Sequence, residues 1–422
     1  MKKTAFVIAT VMAAVYAILA WPTPVIAQSI VHVGGYDSLG YVSGVIAQGN
    51  YAYVSDNLLD LVIMDISDPA NPTVTGRFET WLWIFDMDIY GDTVYVAAGF
   101  SEPYSGALYI VDVTDKHNPY LLGSLSYQWE VMAVEVSINP NNDQDYAYIS
   151  TYGSNKIIDV SDPTNPVELV QFTMPGFPAD LVRQGSYLYA AAYYQGLQIL
   201  DVSNVANPQW VGGYDTPGNA LGVALRRNLN NYAFIADGDS GLRVIQVSNP
   251  TNPLLVGYLQ TSDKLTDIVA DGYFIYAALE DSGIAVIRTG ASENPTIYAA
   301  TGVPYPVSGI ALGDGVIIVA GGESIDIYRL DQVGCDYVPG DINGNGPPNG
   351  IDVTYAVSYF KGGAPPPIDC NPPCSEVPDP FYAAGDVNGD CVFNGIDITF
   401  FVAYARGLQL DLRYCPLCPP NG

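Results

Sequence analysis

The chain has 422 residues, of which 44 are acidic and 15 basic, giving a formal net charge of −29 at pH 7. Nucleic acid and anionic lipid surfaces require a positively charged footprint, so this composition argues against both as partners. The simplest interpretation of the acidity is solubility and tolerance of calcium outside the cell.

The first 27 residues have the features of a bacterial secretory signal peptide. Two lysines precede an apolar run from Ala5 to Ala20, and a small-residue cleavage site, Val25-Ile26-Ala27, follows. The alternative is an uncleaved membrane anchor, but the run is short and ends in Trp21-Pro22. We therefore expect export and an extracellular or cell-surface location.

Residues 28–334 contain a repeat with a period of 41 to 47 residues. A short apolar strand recurs seven times, and an Asn-Pro turn follows each of the first six copies. The strands are Leu61–Asp65, Leu108–Asp112, Lys156–Asp159, Leu197–Asp201, Val244–Gln246, Ile284–Arg288 and Ile325–Arg329. Several short strands per repeat at this period predict an all-β fold, a seven-bladed β-propeller.

The phase of the repeat predicts how the ring closes. The first unit has strands near Val42–Ala47, Tyr51–Ser55, Leu61–Ile66 and Val74–Phe78, which makes four per blade. The seventh copy lacks the outer strand, and the sequence Ile30–Tyr36 near the start of the chain matches the pattern of the outer strands in other copies. We expect the N-terminal strand to complete the last blade, since closure removes exposed sheet edges.

The strand Leu61-Val-Ile-Met-Asp65 resembles the LVIVD repeat, a propeller-forming motif of bacterial extracytoplasmic proteins. The copies at 61–72, 108–119 and 197–208 are the clearest, whereas Gln246 and Arg288 replace the Asp in later copies. The resemblance implies a fold and a compartment but hardly any chemistry. A recurring Asp such as Asp65 is expected to build a turn.

No catalytic constellation is readable in the repeat region. His32 lies in the proposed closing strand and His117 in an Asn-Pro turn, and neither belongs to a recognisable triad or metal-ligand pattern. Nucleophile-elbow and phosphate-binding glycine motifs are absent from the sequence. Paired carboxylates for glycoside hydrolysis stay open, because such pairs are defined by separation in space.

One face of the propeller is expected to carry an unusual share of the aromatic residues. The connections between blades and the hairpin loops on that face contain Trp81, Trp83, Phe100, Tyr104, Trp129, Tyr152, Phe177, Tyr193, Tyr194 and Tyr305. Exposed rings would stack on sugars or anchor a protein partner, and the alternative is that they pack between blades. Equivalent loops of later blades hold Asp237, Asp239, Asp281 and Glu323, an acidic sector with the chemistry to hold a cation.

Two stretches near the C-terminus have the spacing of calcium loops. Oxygen side chains stand at positions 1, 3, 5, 9 and 12, with a backbone carbonyl at position 7. The predicted ligands are Asp341, Asn343, Asn345, Pro347, Asn349 and Asp352 in the first loop, and Asp386, Asn388, Asp390, Val392, Asn394 and Asp397 in the second. We expect two Ca²⁺ sites, the second tighter because it has more carboxylates.

A segment with apolar residues at helical spacing follows each loop, at Ile351–Phe360 and Ile396–Ala405. Residues 339–410 therefore resemble a type I dockerin module, in which paired calcium loops and helices bind a cohesin. The chain departs from that pattern in a long Pro-rich spacer between the repeats and in Cys391 at position 6 of the second loop. Gly350-Ile351 and Gly395-Ile396 replace the small polar residues that often help to select a cohesin, so partner specificity cannot be carried over.

All six cysteines lie after residue 334, in the predicted module at 335–422. They are Cys335, Cys370, Cys374, Cys391, Cys415 and Cys418. In an exported chain an even number of cysteines indicates disulfides that stabilise a small domain, although sequence does not choose their pairing. A zinc site formed by Cys370, Cys374, Cys415 and Cys418 is the alternative.

Together these features predict a non-catalytic binding or scaffold protein. Its propeller would present an interaction face to a protein or polysaccharide, and its dockerin-like module would attach it to a cohesin-like partner or to itself. Two alternatives are a dockerin-tethered polysaccharide lyase or glycosidase and a calcium-dependent subunit of an extracellular layer, since fold alone does not decide function.

Overall fold

The computed structural model describes residues 29–331, except 58–59, 102–103, 138–144, 153, 227–231, 273 and 290–293, together with residues 356–357 and 402. The described chain forms seven four-stranded antiparallel sheets. Each sheet is one blade, and the inner strands of successive blades lie side by side around a central channel. The predicted all-β, seven-bladed propeller is confirmed.

Each complete blade runs from an inner to an outer strand in chain order. Blade 1 comprises β2 (Val42–Gln48), β3 (Tyr51–Asp56), β4 (Asp60–Asp65) and β5 (Thr73–Glu79), and blade 2 comprises β6 (Trp83–Tyr90), β7 (Thr93–Ser101), β8 (Tyr104–Asp112) and β9 (Tyr120–Tyr127). Blade 3 comprises β10 (Val131–Ser137), β11 (Tyr146–Thr151), β12 (Ser154–Asp159) and β13 (Val167–Phe172), and blade 4 comprises β14 (Asp180–Gln184), β15 (Tyr187–Ala191), β16 (Leu197–Asp201) and β17 (Gln209–Tyr214). Blade 5 comprises β18 (Gly222–Leu225), β19 (Tyr232–Ala236), β20 (Leu242–Gln246) and β21 (Leu254–Leu259), and blade 6 comprises β22 (Leu265–Asp271), β23 (Phe274–Leu279), β24 (Gly283–Arg288) and β25 (Thr296–Thr301). Blade 7 comprises β26 (Val307–Gly313), β27 (Val316–Gly321), β28 (Ser324–Asp331) and β1 (Ser29–Tyr36).

The core lies between blades rather than inside any one of them. Both faces of a middle strand pack against a neighbouring blade, so β4 is buried over Leu61–Met64 without the usual polar alternation. This double burial explains why the repeated strand is a continuous run of Leu, Val and Ile. The described apolar residues form seven clusters, one at each junction between blades.

The N-terminal strand closes the ring, as the repeat phase predicts. β1 pairs antiparallel with β28 from Ser29 opposite Asp331 to Tyr36 opposite Ile325. A bulge interrupts this pairing between His32 and Gly34, and every other outer strand carries a bulge at the equivalent place. Such bulges twist a sheet edge and discourage pairing with another chain.

The predicted signal peptide, both calcium loops and all six cysteines lie outside the described residues. Beyond the ring the structure describes Ala356, Val357 and Val402, which are helical and lie within the two segments predicted to form helices. The calcium module therefore stays a prediction. Within the described residues, no helix has the length and apolar character needed to span a membrane.

Candidate binding face and central channel

The two faces of the ring are built from different loops. We define the top face as the hairpins between second and third strands together with the connections from each outer strand to the next blade. The bottom face comprises the hairpins between first and second strands and the Asn-Pro turns between third and fourth strands. All the aromatic residues predicted for one face lie in top-face loops or at the strand ends beside them.

Five of these aromatic side chains are well exposed, which excludes simple packing between blades for those rings. Relative exposure is 70% for Trp81, 73% for Tyr194, 56% for Tyr152 and 45% for both Trp83 and Phe177. Burying an aromatic ring is strongly favourable, so several exposed rings on one face mark a surface suited to a ligand.

The other predicted aromatics are less accessible. Phe100, Trp129, Tyr193 and Tyr305 are partly buried. The hydroxyl of Tyr305 donates to Asp326 Oδ2 at 2.6 Å, so this ring holds a blade connection in place. Tyr104 begins β8 on the same face, but its side chain lies outside the described part of the molecule.

Rings from neighbouring top-face loops contact one another in small groups. Tyr152 stacks on Phe177 with ring centroids 5.0 Å apart and planes within 9°, and Trp129 approaches Tyr152 at 6.0 Å. Trp83 meets Phe100 edge to face at 5.3 Å. We call the set Trp81, Trp83, Phe100, Trp129, Tyr152, Phe177 and Tyr194 the aromatic arc; it spans the top of blades 2 to 4.

Two top-face aromatics have left-handed backbone conformations that bulky residues rarely adopt. The φ angle is 61° at Trp81 and 45° at Tyr193. Around Trp81 the buried Thr80 hydroxyl donates to Leu82 O at 2.7 Å, and around Tyr193 the amide donates to Ala220 O at 3.1 Å. Strain held in place by neighbouring hydrogen bonds is a feature of binding sites, and no local sequence signal predicts it here.

The acidic sector predicted for blades 5 to 7 is only partly a surface feature. Asp237 is fully buried and accepts hydrogen bonds from the Thr216 hydroxyl, the Gly218 amide and Arg243 Nε. Burial raises the pKa of Asp237, and these hydrogen bonds oppose the rise. Asp237 therefore ties loops together and is not available to a bound cation, contrary to the expectation from sequence.

Asp239, Asp281 and Glu323 are exposed on the same side of the top face. In the described part of the chain, no three acidic, His or Cys side chains converge in an arrangement that would hold a metal ion. The exposed carboxylates thus form an acidic rim beside the aromatic arc rather than a described metal site.

A central channel of about 900 Å³ runs through the ring and is lined by the inner strands. Five carboxylates in this channel each accept a hydrogen bond from a backbone amide of the next blade. The pairs are Asp86 with Val134 (2.8 Å), Asp88 with Val136 (2.7 Å), Glu135 with Arg183 (2.9 Å), Asp180 with Val223 (2.7 Å) and Asp267 with Ile310 (2.9 Å). These carboxylates therefore join neighbouring blades at the centre of the ring.

Burial raises the pKa of every one of these five groups. The pKa reaches about 6 for Asp88 and Asp267 and about 7 for Asp180, and it lies well above its ordinary value for Asp86 and Glu135. The described residues that line the channel include no Lys, Arg or His to offset the negative charge. The sequence analysis did not predict these channel carboxylates. One signal was available, because Asp86 and Asp88 are two residues apart in β6 and therefore lie on the same side of the strand.

The two histidines hold structural positions. His32 Nε2 lies 2.7 Å from Asp326 Oδ1, across the pairing of β1 and β28 that closes the ring. His117 lies 3.6 Å from Asp115 within its own turn and is largely exposed. Neither contact adds a group to the channel or to the aromatic arc.

Comparison with known proteins agrees with this architecture. A family model described as the LVIVD repeat matches residues 39–80, 143–173, 175–216 and 217–261, which fall on blades 1, 3, 4 and 5. No curated protein sequence matches the chain.

Two solved structures share the fold. A chain in "Crystal Structure of Mitotic Checkpoint Complex" superposes with a TM-score of 0.54 at 13% identity, covering 71% of this chain and 94% of the other. The computationally designed Ika8 protein superposes with a TM-score of 0.52 at 10% identity, covering 72% of this chain and 100% of the other. At these identities the likeness concerns the fold alone.

Proposed function

We propose that this seven-bladed propeller of LVIVD repeats is an exported, non-catalytic binding protein that presents its top face to a partner. The observation that carries the proposal is the aromatic arc, in which five of seven rings are well exposed on one face of the propeller and five contact another member of the arc. Rigid aromatic side chains supply large contact areas at little cost in side-chain entropy, and they dominate binding energy at many interfaces.

The position of the chain ends supports a display role. Ser29 lies opposite Asp331 in the pairing of β1 with β28, so both exits from the ring meet at the bottom face. Anything attached through the C-terminal segment would therefore hold the ring from the side opposite the aromatic arc. The top face would point away from the attachment and stay open to a partner.

The C-terminal segment supplies the proposed attachment. The two loops beginning at Asp341 and Asp386 have the ligand spacing for Ca²⁺, and they lie outside the described residues. Their carboxylates repel one another until a cation neutralises them, so calcium binding and folding of the module would be coupled. The proposed partner of this module is a cohesin-like protein or a second copy of the chain.

Binding at the top face is testable by tryptophan fluorescence. After residue 27 the chain has four tryptophans, and Trp210 is the one outside the aromatic arc. In a Trp210→Phe background the emission reports the top face alone. We would titrate neutral cello-oligosaccharide, an Arg-bearing peptide and a Glu-bearing peptide against this protein.

The proposal expects binding of at least one of these probes to depend on the aromatic arc. Replacing Trp83 and Tyr194 by Ala should weaken that binding at least about tenfold. The matched control replaces Tyr90 and Tyr120 by Ala; these rings are 53% and 56% exposed at strand ends beside the bottom face, and their loss should leave affinity unchanged. If both double variants behave alike for all three probes, the top face is not a binding face.

Attachment is tested separately by calorimetric titration of the mature full chain with calcium. We expect two binding events, and Asp386→Ala should remove the tighter one because it deletes the first ligand of the loop with more carboxylates. The melting temperature of the propeller should stay unchanged in this variant. Absence of any calcium binding by the oxidised chain would contradict the attachment proposal.

A further inference from the structure

We infer that the partner of the top face is a cationic polypeptide, an extended protein segment bearing Lys or Arg side chains. This inference rests on the proposed binding function and adds the chemical class of the ligand. It is carried by two features that share one face, the aromatic arc and an acidic rim with almost no basic residues.

The top face is strongly anionic outside the aromatic arc. Its exposed carboxylates are Asp37, Glu79, Asp215, Asp239, Asp281 and Glu323. Among the described loop residues of this face, Lys264 is the single Lys or Arg, and its Nζ already bridges Glu280 at 3.1 Å.

Exposed aromatic rings beside carboxylates suit guanidinium and ammonium groups. A cation over an aromatic face is attracted by the negative charge density of the ring face, and Arg also stacks flat on the ring. The described part of the protein uses this contact four times internally, where Lys116, Lys156, Arg226 and Arg243 lie over Tyr51, Tyr127, Phe234 and Tyr258 at 5.3–5.5 Å. None of those four rings belongs to the aromatic arc.

The extent of the site favours a polypeptide over a small amine. The aromatic arc covers blades 2 to 4, and the acidic rim continues from Asp215 over blades 5 to 7 and reaches Asp37. A ligand that engages both regions needs several cationic groups along an extended chain. Exposed rings also stand at strand ends beside the bottom face, namely Tyr90, Tyr120 and Trp210. Among the described residues no ring contact joins these three, unlike the stacked and edge-to-face pairs of the aromatic arc.

The test compares two pairs of substitutions with the same change in net charge. Asp239→Asn with Asp281→Asn removes charge from the top face, and Asp68→Asn with Asp314→Asn removes it from exposed bottom-face loops. Asn204 and Asn249 already stand at the position equivalent to Asp68 and accept the same backbone amide, so the first control substitution suits its turn. The probe is a synthetic peptide of alternating Gly and Arg, titrated by fluorescence against the mature full chain in the Trp210→Phe background. The titration is repeated at low and at physiological ionic strength.

We expect the two top-face substitutions to weaken binding of the peptide at least about fivefold. The two bottom-face substitutions should change its affinity less than about twofold. Trp83→Ala with Tyr194→Ala should also weaken it, and the effect of salt should be smaller in the top-face charge variant. Equal losses for the two charge pairs would show non-specific attraction to an acidic protein and overturn the inference.

A different outcome separates this inference from the proposed function. If cello-oligosaccharide binds through the aromatic arc and the Arg-bearing peptide does not, the top face is a binding face but its partner is a neutral glycan. The cationic-partner inference would then be wrong while the proposed function stands.

Discussion

The bottom and top faces of the ring are built from loops of similar length, but they differ in whether their exposed residues recur from blade to blade. At the bottom, the Asp that ends the third strand of blades 1 to 4 accepts a hydrogen bond from the backbone amide two residues later. These contacts are Asp65 with Ser67, Asp112 with Thr114, Asp159 with Ser161 and Asp201 with Ser203, at 2.8–3.0 Å. At the top, no aromatic recurs at an equivalent place in all blades. Residues repeated around a ring build its scaffold, whereas unrepeated exposed residues are free to serve recognition.

The bottom turns of blades 1, 2, 3 and 5 also fasten each of these blades to the one before it. A Gly in the outer strand lies directly against the Asn-Pro turn of the next blade, where a Cβ atom has no room. A Cβ added to Gly76 would lie 2.1 Å from Lys116 O. The corresponding distances are 2.4 Å from a Cβ on Gly123 to Pro163 O and 2.3 Å from a Cβ on Gly212 to Pro250 O. Gly34 of β1 meets the turn of blade 1 in the same way, which extends the pattern across the closure.

Deleting residues 29–36 is the most severe way to break the bottom scaffold. It would leave the outer edge of β28 unpaired, remove the strand that ties blade 7 to blade 1 and expose the apolar clusters on either side of blade 7. We expect a loss above about 5 kcal/mol, enough to abolish cooperative unfolding in urea, because a domain of this kind is stable by only about 5–15 kcal/mol.

The control for that deletion is His32→Ala, which keeps the backbone pairing and removes a largely exposed side chain. Its cost should stay below about 1 kcal/mol, since an exposed contact with Asp326 contributes little. A neutral deletion would mean that β1 is not needed for ring closure.

Gly76→Ala tests the contact between blades at a single position. The added methyl group would overlap Lys116 O and touch Pro119 Cδ at 3.2 Å, so the turn of blade 2 must move. We expect a loss of about 2–4 kcal/mol by urea denaturation, with affinity at the top face unchanged. The matched control is Gly302→Ala, since nothing lies within 4 Å of the added atom there. That variant should be neutral or slightly stabilising, and equal costs for the two would refute the contact.

The scaffold was predictable from sequence because it is repeated. The period, the four strands of blade 1 and the closing strand Ile30–Tyr36 all follow from a pattern that every blade reinforces. The site was less predictable because its features occur once. Asp237 looks like a surface acid in sequence yet is buried by Thr216 and Arg243, and the left-handed conformation of Trp81 comes from its surroundings rather than from any preference of Trp.

The pH dependence of stability separates the channel carboxylates from those of the bottom turns. Burial raises the pKa of Asp180 to about 7 and of Asp88 and Asp267 to about 6, so the folded state holds these protons more tightly than the unfolded chain does. The stability they add is full below about pH 4 and is lost as the pH rises through 6 to 7. In the bottom turns, hydrogen bonds from Ser67 and Ser203 lower the pKa of Asp65 and Asp201, so that their contribution is lost as the pH falls below about 4.

We therefore expect the free energy of unfolding, measured by urea denaturation, to fall by at least about 2 kcal/mol between about pH 5 and about pH 8, since Asp180 alone crosses two pH units at about 1.4 kcal/mol each. Asp180→Asn should flatten this decline because it removes a channel carboxylate whose pKa is raised to about 7. Asp314→Asn, at an exposed bottom hairpin, should leave the slope as it is. The same slope in both variants would show that the channel carboxylates do not control the pH dependence.

Trp81 provides the smallest and most selective test of the top face, because its side chain and its backbone make separable demands. The ring is 70% exposed and the φ angle is 61°, a conformation that costs an L-residue roughly 1–2 kcal/mol and Gly almost nothing. Trp81→Ala and Trp81→Gly both remove the ring, so both should weaken binding at the top face to the same extent. They differ in the backbone, and Trp81→Gly should be more stable than Trp81→Ala by about 1 kcal/mol in urea denaturation. At an exposed residue with φ near −60° the order would be reversed, because Gly loses more entropy on folding. Equal stability of the two variants would show that Trp81 is not held in the left-handed conformation. If both retain full affinity for the top-face ligand, the strain at Trp81 serves the loop and not recognition.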